Sequence, residues 1–113
     1  MTYNKTVVAA FFKDCGLPEP VFEYQFCERK WRWDLAYPDH RLAIEVQGAL
    51  FSGGRHTRGA ALLKEYEKYN YAARLGWRIL FVIPRDLCLM ETVRLIHDSL
   101  SMSLLHLPAP DRD

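Results

Sequence analysis

The stretch Trp31-Arg32-Trp33-Asp34-Leu35-Ala36-Tyr37-Pro38-Asp39-His40-Arg41-Leu42-Ala43-Ile44-Glu45-Val46-Gln47 decides how this chain is read. Its two arms alternate in side-chain type with period two, the pattern of half-buried strands. Pro38-Asp39-His40-Arg41 between them is a turn signal. With Asp39 and His40 as the central pair, residue n on one strand opposes residue 79 − n on the other, so Asp34 faces Glu45. Their Cβ atoms then lie roughly 5 Å apart.

Like charges directly opposite each other destabilise a sheet, and strands rich in tryptophan and isoleucine need a compensation for them. A divalent cation supplies one. Mg²⁺ takes one or two protein carboxylates together with waters and phosphate oxygens, an arrangement suited to phosphodiester hydrolysis. Spacing alone leans towards a plainer arrangement, in which both side chains sit on the solvated face of an amphipathic hairpin.

The 113 residues, 50% of them apolar, suffice for one domain with its own core. A basic leader followed by an apolar run is missing at the start, and no apolar run approaches about 18 residues, so the expectation is a cytoplasmic protein with no membrane segment. Cys15, Cys27 and Cys88 are far apart and form no CxxC pair, which argues against a disulfide framework or zinc site and for reduced, mostly buried thiols. The net charge of +1 gives no global sign of a nucleic-acid binder. Locally, Arg55, Arg58, Lys64, Lys68, Arg74 and Arg78 outnumber Glu65 and Glu67, and Arg29, Lys30, Arg32 and Arg41 surround the hairpin. A phosphate backbone could be met there; ordinary solvated surface is the competing reading.

Working outward from the hairpin, residues 4–15 carry a helical stripe (Val7, Val8, Ala10, Phe11, Phe12) stopped by Gly16 and Pro18. Residues 21–27 read as a strand. The glycine-punctuated segment 49–59 reads as a loop. Residues 58–75 have a helical pattern, with Leu62, Tyr66, Tyr69 and Ala73 on one stripe, ended by Gly76. The apolar run 77–83 suits a strand buried on both faces. Residues 87–101 form a closing helix, and the tail 108–113 should fray. The fold class is therefore α/β, a single αβββαβα domain whose central mixed four-stranded sheet is flanked by helices. Its last strand is parallel to its neighbour because a helix crosses over between them.

These segments resemble the PD-(D/E)XK nuclease superfamily, of restriction-endonuclease-like fold, and within it small phage and bacterial nucleases similar to the very-short-patch-repair endonucleases. The resemblance rests on Arg32-Trp33-Asp34-Leu35-Ala36-Tyr37-Pro38, Ala43-Ile44-Glu45-Val46-Gln47-Gly48, Gly53-Gly54-Arg55-His56-Thr57-Arg58-Gly59 and Glu67-Lys68-Tyr69-Asn70. It implies Asp34 and Glu45 as ligands of Mg²⁺ or Mn²⁺, with the Val46 backbone carbonyl as a third and Glu23 as a further contact. Gln47 stands where the family motif has lysine. A neutral amide can orient the attacking water but cannot offset negative charge. Lys68, on the following helix, is the candidate for a migrated lysine, against a purely solvated role. The resemblance also makes His56 a general base or phosphate contact, and an imidazole can exchange protons near neutrality. Arg55 and Arg58 could hold phosphate bidentately, with Lys64 and Arg32 as further nucleic-acid contacts. Trp31 and Trp33, at alternate strand positions, read as core rather than as base-stacking platforms.

The implied activity is metal-dependent DNA endonuclease cleavage, structure-selective or weakly sequence-specific. Cutting both strands would take a homodimer or two encounters. Rival readings are a nucleic-acid-binding module of nuclease fold without catalysis, and an interaction protein whose acidic pair is only surface.

Overall fold

The computed structural model describes residues 3–48 and 55–102 and, for residues 55–58, the backbone alone. Helix α1 (Lys5–Asp14) opens on Asn4, whose Oδ1 accepts the Val7 N–H at 3.0 Å. That bond satisfies one of the donors a helix start leaves free. The helix closes at Gly16, which holds the left-handed conformation (φ 82°) a helix stop of this kind requires. Strands β1 (Val21–Gln25), β2 (Arg32–Tyr37) and β3 (Leu42–Val46) follow, then α2 (Arg55–Arg74), β4 (Arg78–Val82) and α3 (Met90–Ser101). The sheet order is β1-β2-β3-β4, antiparallel across the first two pairings and parallel between β3 and β4. This is the expected αβββαβα order, and the crossover through α2 makes the last pair parallel.

The hairpin register is the one its sequence dictates: Leu35 pairs with Ile44, Ala36 with Ala43 and Tyr37 with Leu42. The turn is a short 3-10 segment over Pro38–His40, and Arg41 takes the left-handed conformation (φ 50°) that returns the chain to β3. One face of the sheet is covered by α1 and α3. There Val8, Phe12, Leu35, Leu42, Ile44, Val93 and Ile96 form the main apolar core. On the other face α2 packs over Trp33, Ala36, Ala43 and Trp77 through Ala72. Two alanines on the strands leave room for the helix and the two indoles.

Several expectations are corrected. Helix α2 starts at Arg55 rather than at Arg58, so residues 55–58 are helical and not loop. Gly59 lies inside the helix, where a glycine costs about 1 kcal/mol without stopping it. The rest of the expected loop, residues 49–54, and the tail 108–113 lie outside the described residues. The inner stripe of α2 is displaced by one residue from the expected one: Lys68 and Ala72 are buried, whereas Leu62 (43%) and Tyr66 (52%) are exposed. β4 is an edge strand and its Phe81 is 54% exposed, so it is not buried on both faces. Helix α3 begins at Met90, because Pro84–Asp86 forms a 3-10 turn that drops Leu87 into the core. Of the three free thiols, Cys15 and Cys27 are half-buried and Cys88 is exposed. Among the described residues no helix is long and apolar enough to cross a membrane.

Candidate active site

Alternation in β2 fails at Asp34. Regular period two would put Trp33 and Leu35 on the same face, yet Trp33 packs beneath α2 while Leu35 packs against the α1 and α3 side. The neighbouring strand makes the same switch. Phe22 packs with the main core and Tyr24 with the α2 cluster, although they too are two residues apart. Between them Glu23 adopts φ 53°, a conformation uncommon for a residue with a side chain. The β1–β2 register accordingly runs Val21–Ala36 and Phe22–Leu35, then Tyr24–Trp33 and Gln25–Arg32, omitting Glu23–Asp34.

Released from the ladder, the Asp34 N–H donates to Glu45 Oε2 at 3.0 Å. In return, Asp34 Oδ2 accepts the Val46 N–H at 2.6 Å. The two carboxylates therefore meet at the end of the hairpin as the register predicts, each bound to the other strand's backbone. They are not on a solvated face: Glu45 is only 5% exposed, and Asp34 is half-buried.

Lys68 completes the group. Its Nζ lies 2.8 Å from Glu45 Oε1 and donates to the Arg32 carbonyl at 2.7 Å, with the Trp33 ring centroid at 4.7 Å. The residue is 8% exposed, so the solvated alternative for this lysine is overturned. An ammonium has three donors, and these two bonds leave one N–H for a further acceptor. Burial pushes the Glu45 carboxyl up to about 7, while the Lys68 hydrogen bond and charge and the Asp34 N–H pull against that rise.

Gln47 does not take up the lysine's place beside the carboxylates. Its amide donates to the Tyr69 hydroxyl at 3.4 Å, and that hydroxyl donates to Glu65. Burial and the Glu65 contact hold the Tyr69 hydroxyl well above the ordinary tyrosine range. Glu23 is also drawn elsewhere, to Lys5 at 3.8 Å. Among the described residues no three His, Cys, Asp or Glu side chains converge as a metal-binding group. Of the expected ligand set, Asp34 and Glu45 are each bonded to the other's strand, and Glu23 pairs with Lys5. Val46 sits at the same point through its bonded N–H. Arg32 and Lys64 are exposed. The side chains of Arg55, His56 and Arg58 lie outside the described residues. Trp33 is fully buried, as read, whereas Trp31 is half-buried beneath the Arg29 guanidinium at 3.9 Å.

Three neighbours of the site were missed in the sequence. Tyr69 and Glu65 stand four residues apart on a helix, a spacing that brings side chains together, and this was the available signal. Tyr3 had none, because only the tertiary fold brings it near. Its hydroxyl is buried without a partner among the described residues, and it is pushed up to about 12 by burial and by the charges of Asp34, Glu23 and Glu45.

No family model matches the chain, and no solved structure matches it with significance. Two uncharacterized proteins from two strains of Mycobacterium tuberculosis are each 32% identical to it over 76 residues. The matched segment is 65% of this chain and 27% of each relative, so the chain spans about a quarter of the length of the curated proteins it is similar to.

Proposed function

We propose that the chain is a metal-dependent DNA endonuclease of PD-(D/E)XK type, hydrolysing phosphodiester bonds with Mg²⁺ or Mn²⁺. The observation that carries this reading is the trio of half-buried Asp34 with buried Glu45 and Lys68. Two carboxylates from adjacent strands and a lysine from the facing helix meet around one point, although the strand motif itself ends in Gln47. Two carboxylates and a backbone carbonyl fit Mg²⁺, which keeps its remaining positions for water and phosphate. Asp34, Glu45 and the Val46 carbonyl would hold the ion. When bound, it supplies a Lewis acid for a phosphoryl oxygen and lowers the pKa of a coordinated water.

The chain's own residues supply the rest. Lys68 presents its remaining N–H and its charge where negative charge grows during hydrolysis, in a poorly hydrated place where that charge acts strongly. Trp33 and the Arg32 carbonyl keep the lysine from swinging into water. Gln47, tied to Tyr69, orients rather than exchanges protons. Arg32, Lys64, Arg55 and Arg58 contact the phosphate backbone, with His56 as a base or phosphate contact. A homodimer would let one encounter cut both strands. The free thiols suit a cytoplasmic setting.

A second reading has one specific observation in its favour. Both carboxylates already have backbone N–H partners, and Lys68 already neutralises Glu45, so the group is satisfied without an ion. A nucleic-acid-binding module without catalysis would look the same. Plasmid, junction and single-stranded substrates assayed with Mg²⁺, Mn²⁺ or chelator separate the two. Cleavage that needs the metal and disappears in Asp34→Ala and in Glu45→Ala, with circular dichroism unchanged, supports the nuclease. Cleavage retained in either variant overturns it; DNA binding in chelator with no calorimetric uptake of Mg²⁺ or Mn²⁺ favours the module.

A further inference from the structure

Beside Gln47 the described residues leave part of the sheet face open. A pocket of about 360 Å³ opens there between β4 and α2, lined by Gln47, Leu62, Glu65, Tyr69, Phe81 and Val82. Its volume lies within the range of small-ligand sites. Phe81 is 54% exposed and Leu62 43%, a large apolar exposure for a position beside a buried ion pair. The Phe81 and Tyr69 rings meet edge to face at 5.5 Å and 81°. The polar groups at the wall are an amide, a phenol hydroxyl and a carboxylate, joined as Gln47 to Tyr69 to Glu65.

Each part of this lining restricts the occupant. Among the described residues Glu65 is its one charged group, which disfavours a phosphate there. The rings offer a π surface, and the amide and carboxylate offer a donor and an acceptor for the edge of a flat heterocycle. Location restricts it further. Gln47 is two residues beyond Glu45 on the same strand, about 7 Å along it, and Tyr69 adjoins Lys68, whose Nζ lies 6.0 Å from the Tyr69 ring centroid. A group in the pocket is therefore one nucleotide's reach from a phosphate at the carboxylates.

We propose that this pocket receives an unstacked nucleobase of a DNA strand whose neighbouring phosphate would lie at the metal site of Asp34 and Glu45, an inference that rests on the nuclease reading. Bases inside an intact duplex are stacked and paired and enter only after flipping out, at a cost of a few kcal/mol. The preferred substrate class is then DNA with unpaired nucleotides: single strands, frayed ends, flaps or bulges. Phe81 is the stacking residue, and Gln47 and Glu65 meet the base edge.

The test uses oligonucleotides carrying 2-aminopurine, whose fluorescence reports stacking, in chelator so that no cleavage occurs. The unaltered protein should bind the single strand with a fluorescence change at one position along it. Phe81→Ala should lower the ratio of single-strand to duplex affinity about tenfold or more, in line with base–aromatic stacking. Phe81→Trp should retain the ratio, which separates loss of the ring from loss of folding. An unchanged ratio in Phe81→Ala overturns the proposal. So does a dimer in analytical ultracentrifugation that Phe81→Ala converts to monomer, since a second copy would then fill the pocket. Because no step involves cleavage, a protein that never cuts DNA but shows Phe81-dependent fluorescence keeps the pocket and loses the nuclease. A cutting protein without that dependence gives the reverse.

Discussion

The two faces of the sheet are built on different principles. Beneath α1 and α3 the core is apolar and close-packed, with Phe12, Leu35, Leu42, Ile44 and Ile96 all fully buried. Beneath α2 the strands present alanines and indoles, and among them a carboxyl–amine pair, Glu45 with Lys68, is shut away from water. A buried ion pair is weak evidence for stability, since desolvation can outweigh the attraction. The first face accounts for folding. The second gives up apolar packing to hold charge in a set position, the compromise expected where side chains must act.

Truncating the large aromatic on each side should break that comparison most visibly. Phe12→Ala and Trp33→Ala should each lower unfolding free energy by about 3–5 kcal/mol, measured by urea denaturation. On the nuclease reading proposed above, their effects on cleavage per folded molecule should differ. Phe12→Ala leaves Lys68 and Glu45 in place. Trp33→Ala removes the ring beneath the Lys68 ammonium, so its turnover should fall more than tenfold. Equal losses of turnover in both variants would mean that the faces do not divide the labour.

The ion pair supplies a sharper test because its carboxyl responds to pH. Folding raises the Glu45 carboxyl from its ordinary 4.5 to about 7. Between those values the folded state holds a proton that the unfolded chain releases, so stability falls as pH rises. The contribution is fully present below about 4.5 and is lost as the pH passes 7. Thermal melts of the metal-free protein should show this decline, and Glu45→Gln should flatten it. Lys68→Met removes the hydrogen bond and charge that favour ionised Glu45, so its deficit relative to the unaltered protein should widen from pH 6 to pH 8. A deficit constant over that range would show that the two groups are not coupled.

How much of this was legible in the sequence follows from which forces set each element. Period-two alternation and the Pro38–Arg41 turn predicted the hairpin register, and a one-residue slip would have turned the alternation inside out. Helix α2 was misread because apolar periodicity locates a face that packs on apolar surface. The α2 face that meets the sheet uses Lys68 and Ala72 instead, so the stripe through Leu62, Tyr66, Tyr69 and Ala73 pointed one residue away. Lys68 could be proposed from the vacancy left by Gln47, but its burial could not, since that depends on Trp33 and Arg32 from a distant strand. The same limit hid Tyr3.

The reversal at Glu23 and Asp34 is the least legible feature, and its test has the smallest expected effect. Nothing in Val-Phe-Glu-Tyr-Gln announces a left-handed residue, and no glycine or asparagine marks it. Holding Glu23 at φ 53° costs on the order of 1–2 kcal/mol, which the surrounding packing must outweigh. Phe22 and Tyr24 supply that packing by entering opposite cores, and the Asp34 N–H gains the Glu45 carboxylate. Glycine adopts this conformation freely, at the expense of greater freedom in the unfolded chain. Glu23→Gly should therefore raise unfolding free energy by about 1 kcal/mol or less and leave turnover per folded molecule unchanged, because the Glu23 carboxylate is engaged with Lys5 instead of the site. Glu23→Val, with a branched side chain ill-suited to positive φ, should destabilise and reduce turnover together by pulling Asp34 back into the β1 ladder. If Glu23→Val cleaves normally, the turned Asp34 peptide is a packing accident rather than the device that delivers its carboxylate to Glu45.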